Sequence, residues 1–167
     1  MKHAVLAGLV LAGISSGAAM AAGSLKVEQS IEINAKADDV WATSGNFGDL
    51  GAWHPAATKT EIVEGSNNEV GAVRLITLPD GGKLKEKLEA YDAKKHTYSY
   101  TILEGVLPVS DYHSTYTVHA AGANKTKVTW KGTFNAAGAS NADAVKTITG
   151  VYKGGLDNLK KISEAKK

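Results

Sequence analysis

The chain contains no cysteine. Thiolate nucleophiles, iron–sulfur clusters and cysteine zinc sites are therefore excluded, since each needs a thiolate. Disulfides are excluded as well, although an oxidising compartment permits them without requiring them. Neither sign of charge dominates: 19 Lys and Arg against 17 Asp and Glu give a formal +2. Such a balance offers no electrostatic footprint for nucleic acid. There is no Gly-x-Ser-x-Gly elbow and no phosphate-binding loop. Past the N-terminus no apolar run is long enough to span a bilayer. Internal repeats, low-complexity tracts and linkers are also missing. Histidines are scattered: His113 and His119 share a strand face but stand about 20 Å apart at roughly 3.3 Å per residue, too far to hold one ion. No metal site and no cofactor is expected.

What is present begins with an address. Lys2 and His3 precede an apolar stretch from Ala4 to about Ala19, and Ala19-Met20-Ala21 fits the small-x-small cleavage rule. The stretch is short and rich in Ala and Gly for a membrane anchor. Residues 1–21 are read as a cleavable export signal, cut near Ala21, and residues 22–167 as one domain in the periplasm. That length suffices for a real core.

Period-two alternation marks the strands. Ser24–Ile33 is the first. A short helix over Ala37–Thr43 follows, with Asp38 and Asp39 in its first turn. The glycine-broken stretch from Gly45 to Pro55 is expected to hold a second short helix and a turn. Strands are then expected over Thr58–Glu64, Val70–Leu78, Lys83–Tyr91, Thr97–Glu104, Ser110–Ala120 and Thr126–Phe134. Pro79-Asp80-Gly81-Gly82 and Ala121-Gly122-Ala123-Asn124 are hairpin tips. Ser140-x-x-Asp143 reads as a capping box before a long helix. Its apolar stripe is Val145, Ile148, Tyr152, Leu156, Leu159 and Ile162. Gly150, Gly154 and Gly155 sit inside that helix, where glycine costs stability, and are read as points of close approach to the sheet. One long helix and about seven strands joined by tight turns make an α+β fold, the helix burying its stripe on one face of an antiparallel sheet.

The same alternation sorts the strand faces. Lys83, Lys85, Lys87 and Glu89 point to solvent, which turns Leu84, Glu86 and Leu88 inward. Arg74 lies near Glu86 in any reasonable hairpin register, and on the inward face the two form a cross-strand ion pair. The other inward positions are Tyr98, Tyr100 and Ile102; Tyr112, Ser114, Tyr116 and Val118; Val128, Trp130, Gly132 and Phe134. A solid core favours Leu, Ile and Val, because each buried hydroxyl or charge needs a partner. Two readings stand: a partly wet binding cavity, or structural packing of tyrosines around a structural ion pair. Trp53, His54, Arg74, Glu86, Tyr98, Tyr100, Tyr112, Tyr116, Trp130 and Tyr152 are the candidate cavity residues. His54, in the Trp53-His54-Pro55 turn at the expected cavity mouth, reads as a satisfied surface group. Glu86 is the single candidate for proton chemistry, since burial raises a carboxyl pKa, but pairing with Arg74 holds it ionised. A lone acid without nucleophile or metal is thin evidence for an enzyme.

Several stretches, taken in order, resemble the polyketide cyclase/dehydrase-like branch of the START-like (SRPBCC) superfamily. They are residues 33–41, Phe47-Gly48-x-Leu50-x-x-Trp53-His54-Pro55, Gly71-Ala72-Val73-Arg74, Asp80-Gly81-Gly82 with Glu86, Tyr98-Ser99-Tyr100, Pro108-Val109-Ser110-Asp111-Tyr112 and Val128-Thr129-Trp130. The resemblance spans nearly the whole mature chain. Within the branch, the export signal makes the chain most similar to the MxaD-like periplasmic accessory proteins of bacterial methanol oxidation. The resemblance implies a START/Bet v-like helix-grip fold, a curved antiparallel sheet around a long C-terminal helix with a cavity between. It also implies a non-catalytic accessory role between a periplasmic dehydrogenase and cytochrome c. A carrier of a lipid or other hydrophobic small molecule, and a cyclase or dehydratase acting through Glu86, are the alternatives. The family often carries proline within residues 35–37 and this chain has none, which affects only where the first helix starts.

Overall fold

A computed structural model describes residues 23–166. The export-signal reading falls on residues outside that range. The chain forms β1 (Leu25–Ile33), α1 (Ala37–Ser44), a 3-10 turn (Leu50–Ala52), β2 (Lys59–Glu64), β3 (Val73–Thr77), β4 (Lys83–Asp92), β5 (Thr97–Gly105), β6 (Val109–Gly122), β7 (Lys125–Ala136) and α2 (Asn141–Glu164). The strands make one seven-stranded sheet in the order β1-β7-β6-β5-β4-β3-β2. Every neighbouring pair is antiparallel. This is the expected α+β helix-grip fold.

Boundaries moved where turn chemistry intervened. β3 starts at Val73 instead of Val70, because Asn68 and Gly71 both take positive φ (62° and 95°) and turn the chain first. Leu78 leaves the strand to close the tight turn, its N–H donating to the Gly82 carbonyl at 2.8 Å. The second hairpin tip shrinks to two residues, since Gly122 pairs with Lys125. The glycine-broken stretch holds only the 3-10 turn as its second helix.

The α2 cap forms as read. Ser140 Oγ accepts the Asp143 N–H at 3.1 Å and donates back to Asp143 Oδ2 at 2.8 Å. The stripe from Ile148 to Leu159 is buried. Among the described residues no helix is long and apolar enough to cross a membrane.

The helix packs chiefly on β1, with a smaller contact on β7. Geometry requires such a partial cover: seven strands at about 4.8 Å spacing are roughly 29 Å wide, whereas a helix is about 10 Å across. The β2–β5 side is closed instead by sheet curvature and by the segment from Phe47 to Ala57, whose Phe47, Leu50, Trp53 and Ala57 are buried.

Candidate functional site

The alternation of β4 places Glu86 inward between Leu84 and Leu88, and the register sets it directly opposite Arg74 on β3. Both are buried, Arg74 at 1% exposure and Glu86 at 5%. Arg74 Nε donates to Glu86 Oε2 at 2.8 Å, and Nη2 lies 2.7 Å from the same oxygen without hydrogen-bond alignment. Arg74 Nη1 donates to the Phe47 carbonyl at 2.8 Å. The guanidinium also lies over the Phe47 ring, 4.1 Å from its centroid, and 5.2 Å from that of Tyr100. Among the described residues Glu86 Oε1 has no hydrogen-bond partner. Burial raises the Glu86 carboxyl above its ordinary range, and the charge and hydrogen bond of Arg74 pull against that rise.

A second polar group runs through the tyrosines. Ser114 Oγ donates to the Lys131 carbonyl at 3.0 Å. Its lone pairs then accept Trp130 Nε1–H and Tyr152 Oη–H, both at 2.9 Å. Tyr152 therefore accepts from Tyr112, at 2.6 Å. Tyr112 can in turn accept only from Tyr100, at a long 3.4 Å. The chain of hydroxyls has a direction, from Tyr100 toward a backbone carbonyl, and its head is weakly engaged. Tyr100 Oη also accepts from Trp130 Nε1 at 3.1 Å. Burial pushes Tyr152 up to about 12 and Tyr100 and Tyr112 well above 10. All three are neutral hydroxyls at physiological pH. Two local features let Tyr152 reach this line. Gly132 leaves open the space where a Cβ would stand 2.3 Å from the Tyr152 hydroxyl. A β-bulge at Asp111, with φ 48°, offsets β6 against β7 and turns Tyr112 inward.

A cavity of about 100 Å³ lies between these groups and the 3-10 turn. Six of the ten candidate residues line it: His54, Arg74, Glu86, Tyr100, Tyr112 and Trp130. The rest of its wall is aliphatic, with Leu50, Ile76, Leu84 and Val151 prominent. Trp53, Tyr98, Tyr116 and Tyr152 do not line it. They fill the adjoining interior as an aromatic stack, with Tyr98 to Tyr116 at 5.2 Å between centroids, Tyr116 to Trp53 at 5.4 Å and Trp130 to Tyr152 at 4.5 Å. The inward face thus divides, with one part lining a cavity and the other filled by stacked rings. Trp53 Nε1 and Tyr116 Oη have no partner among the described residues.

The surface reading of His54 is corrected. The ring is 4% exposed. Its Nε2 donates to the Val151 carbonyl at 2.9 Å and its Nδ1 accepts the Ala56 N–H at 3.1 Å. One donor and one acceptor fix the neutral ring, and burial lowers its pKa in the same sense. The glycine reading is corrected in part. A Cβ on Gly155 would stand 2.5 Å from His54 Cδ2 and 3.1 Å from Trp130 Cζ3, so approach is close there, whereas Gly150 and Gly154 face open space. Ser114 and the aliphatic wall were absent from the candidate set. Ser114 could have been added, because a small hydroxyl between two inward tyrosines has to be bonded. Among the described residues no group of three His, Asp or Glu side chains could hold a metal.

The family model described as polyketide cyclase / dehydrase and lipid transport matches residues 24–164. The chain belongs to this family. Members and neighbours agree with the architecture. The protein XoxI from Bacillus cereus is 31% identical over 83% of this chain and 94% of its own, with a TM-score of 0.77. A protein from Nitrosospira multiformis is 27% identical over 86% of this chain and 100% of its own, with a TM-score of 0.75. The Zhui aromatase/cyclase from a Streptomyces species, 16% identical over 85% of this chain and 94% of its own, shares the fold at a TM-score of 0.70.

Proposed function

We propose that this family member is an exported, non-catalytic accessory protein of the periplasm that binds at most a small molecule and docks a partner at its cavity mouth. The resemblance noted in the sequence makes that partner a methanol-oxidation dehydrogenase or cytochrome c. One observation carries the non-catalytic reading: the cavity is about 100 Å³, against the roughly 300–1,000 Å³ of ordinary ligand sites. A lipid chain or a folded polyketide does not fit that space, which weighs against the carrier and cyclase alternatives. The docking reading is supported by the rim. Leu103 and Val106 are 50% and 59% exposed, and Leu107 beside them lines the cavity.

Crosslinking in the periplasm followed by purification tests the reading. Capture of a dehydrogenase or cytochrome c, lost in a Leu103→Ser/Val106→Ser variant, is the expected result. No capture, together with unchanged methanol oxidation in a deletion strain, overturns it.

One observation favours a second reading. Glu86 keeps an oxygen uncommitted in a buried site that raises its pKa, as a general base requires. If the protein is a small-substrate enzyme, Glu86→Gln abolishes turnover and leaves folding intact. An unchanged phenotype rejects that reading.

A further inference from the structure

The cavity wall is apolar except at one corner, and that corner is unbalanced. Both near nitrogens of Arg74 converge on Glu86 Oε2, which leaves Oε1 as an acceptor with no donor among the described residues. Tyr100 supplies the converse: a hydroxyl proton whose outlet within the protein is the 3.4 Å contact to Tyr112. Both residues line the cavity. The register makes them diagonal neighbours on one face, since Glu86 lies opposite Ile102 and Leu88 opposite Tyr100.

An acceptor oxygen on a cavity-lining side chain beside an underused donor matches a hydroxyl group, which gives one proton and accepts another. The ion pair excludes charge in the ligand, because Arg74 and Glu86 already neutralise each other and an added ion would be desolvated without a counter-charge. Volume limits size: at about 30 Å³ per water-sized group, the space of about 100 Å³ holds roughly three such groups, the scale of a short carbon chain. Aliphatic wall residues fit a short carbon chain better than a cluster of waters, which needs two to four polar partners for each molecule.

We propose that the cavity binds a short-chain, uncharged aliphatic alcohol. Its hydroxyl donates to Glu86 Oε1 and accepts from Tyr100 Oη, and its carbons lie against Leu50, Ile76 and Leu84. This rests on the small-cavity reading above and adds the ligand class to it.

The test titrates the isotope-labelled mature chain with n-propanol, propionate and n-decanol while following the methyl signals of Ile76 and Leu84. Saturable shifts with n-propanol, and none with propionate or n-decanol, are expected. Tyr100→Phe should weaken n-propanol at least tenfold. Ala57→Leu, which fills the cavity from its apolar side, should abolish the shifts with thermal unfolding retained. Should Tyr100→Phe fail to fold, Ala57→Leu alone decides. Non-saturating shifts, equal response to propionate, or binding unchanged in a folded variant overturn the proposal. Loss of n-propanol binding with partner capture intact removes this inference alone. Tight n-decanol binding removes the small-cavity reading as well.

Discussion

The two halves of the interior are built from one sheet face and are filled differently. Toward β6 and β7 the tyrosines and tryptophans stack solidly, with Tyr98, Tyr116, Trp53 and Trp130 at 5–6 Å centroid spacing. Toward β3 and β4 the same inward face carries an ion pair and encloses a cavity. The cause is coverage. Where α2 and the turn at Trp53 press on the sheet, aromatic rings fill the gap. Where the same elements present Leu50, Ala57 and Val151 instead, the wall is made of shorter aliphatic side chains and one charged pair, and space is left. Packed interiors contain few voids larger than a water, so the hollow half stands apart from the stacked one in kind as well as in position.

The largest break in this contrast should come from the ion pair. Arg74→Met leaves Glu86 buried without a counter-charge, and denaturant unfolding should show a loss of about 3–5 kcal/mol. Adding Glu86→Leu should recover most of it, since replacing both members of a buried pair by apolar groups is often neutral. If the double variant is as unstable as the single one, the pair is not the main constraint on the hollow half.

At the seam between the halves, Gly155→Ala drives a methyl into the His54 ring, which two hydrogen bonds hold in place. The expected loss is about 1–3 kcal/mol. Gly154→Ala, one residue away and facing open space, should instead gain about 0.5–1 kcal/mol from helix propensity. Opposite signs in thermal unfolding would confirm that only one helix glycine serves close approach.

Two tyrosines that alternation treats alike sharpen the contrast further. Tyr152→Phe removes the hydroxyl that links Tyr112 to Ser114, and should cost about 1–3 kcal/mol. Tyr116→Phe removes a buried hydroxyl without a partner and should be neutral or slightly stabilising. Equal effects would show that the directed hydroxyl chain contributes nothing.

The smallest effect is in pH dependence. His54 is held neutral, with its folded pKa below the 6.5 of the free group. The unfolded state therefore binds the extra proton first, and stability falls as pH drops below about 6.5. Glu86 acts oppositely: its raised carboxyl binds a proton earlier in the folded state, which favours folding at lower pH. Unfolding measured between roughly pH 7 and pH 5 should show a net loss that His54→Gln flattens. A slope unchanged by that substitution would assign the loss to other groups.

Most strands could be read from the sequence, because alternation depends only on which residues are apolar. Lys83 to Glu89 shows it plainly, with three lysines and a glutamate on one face and Leu84, Glu86 and Leu88 on the other. The Arg74–Glu86 pair followed from the hairpin turn that sets its register. Four candidate residues did not reach the cavity, because alternation gives the face a side chain points to and not the depth of what lies above it. His54 was misplaced for a related reason: a Trp-His-Pro turn looks exposed until Gly155, about a hundred residues later, admits its ring against the helix.

By itself, then, the sequence determined the element order, the inward and outward faces and the α2 cap. Each follows from local periodicity, turn chemistry or short-range spacing. Tertiary structure alone decided that α2 packs chiefly on β1 and β7, that the tyrosine line has a direction, and that the cavity beside it is about 100 Å³. Those are properties of how distant surfaces meet, and packing, unlike alternation, depends on the volume of every side chain at once.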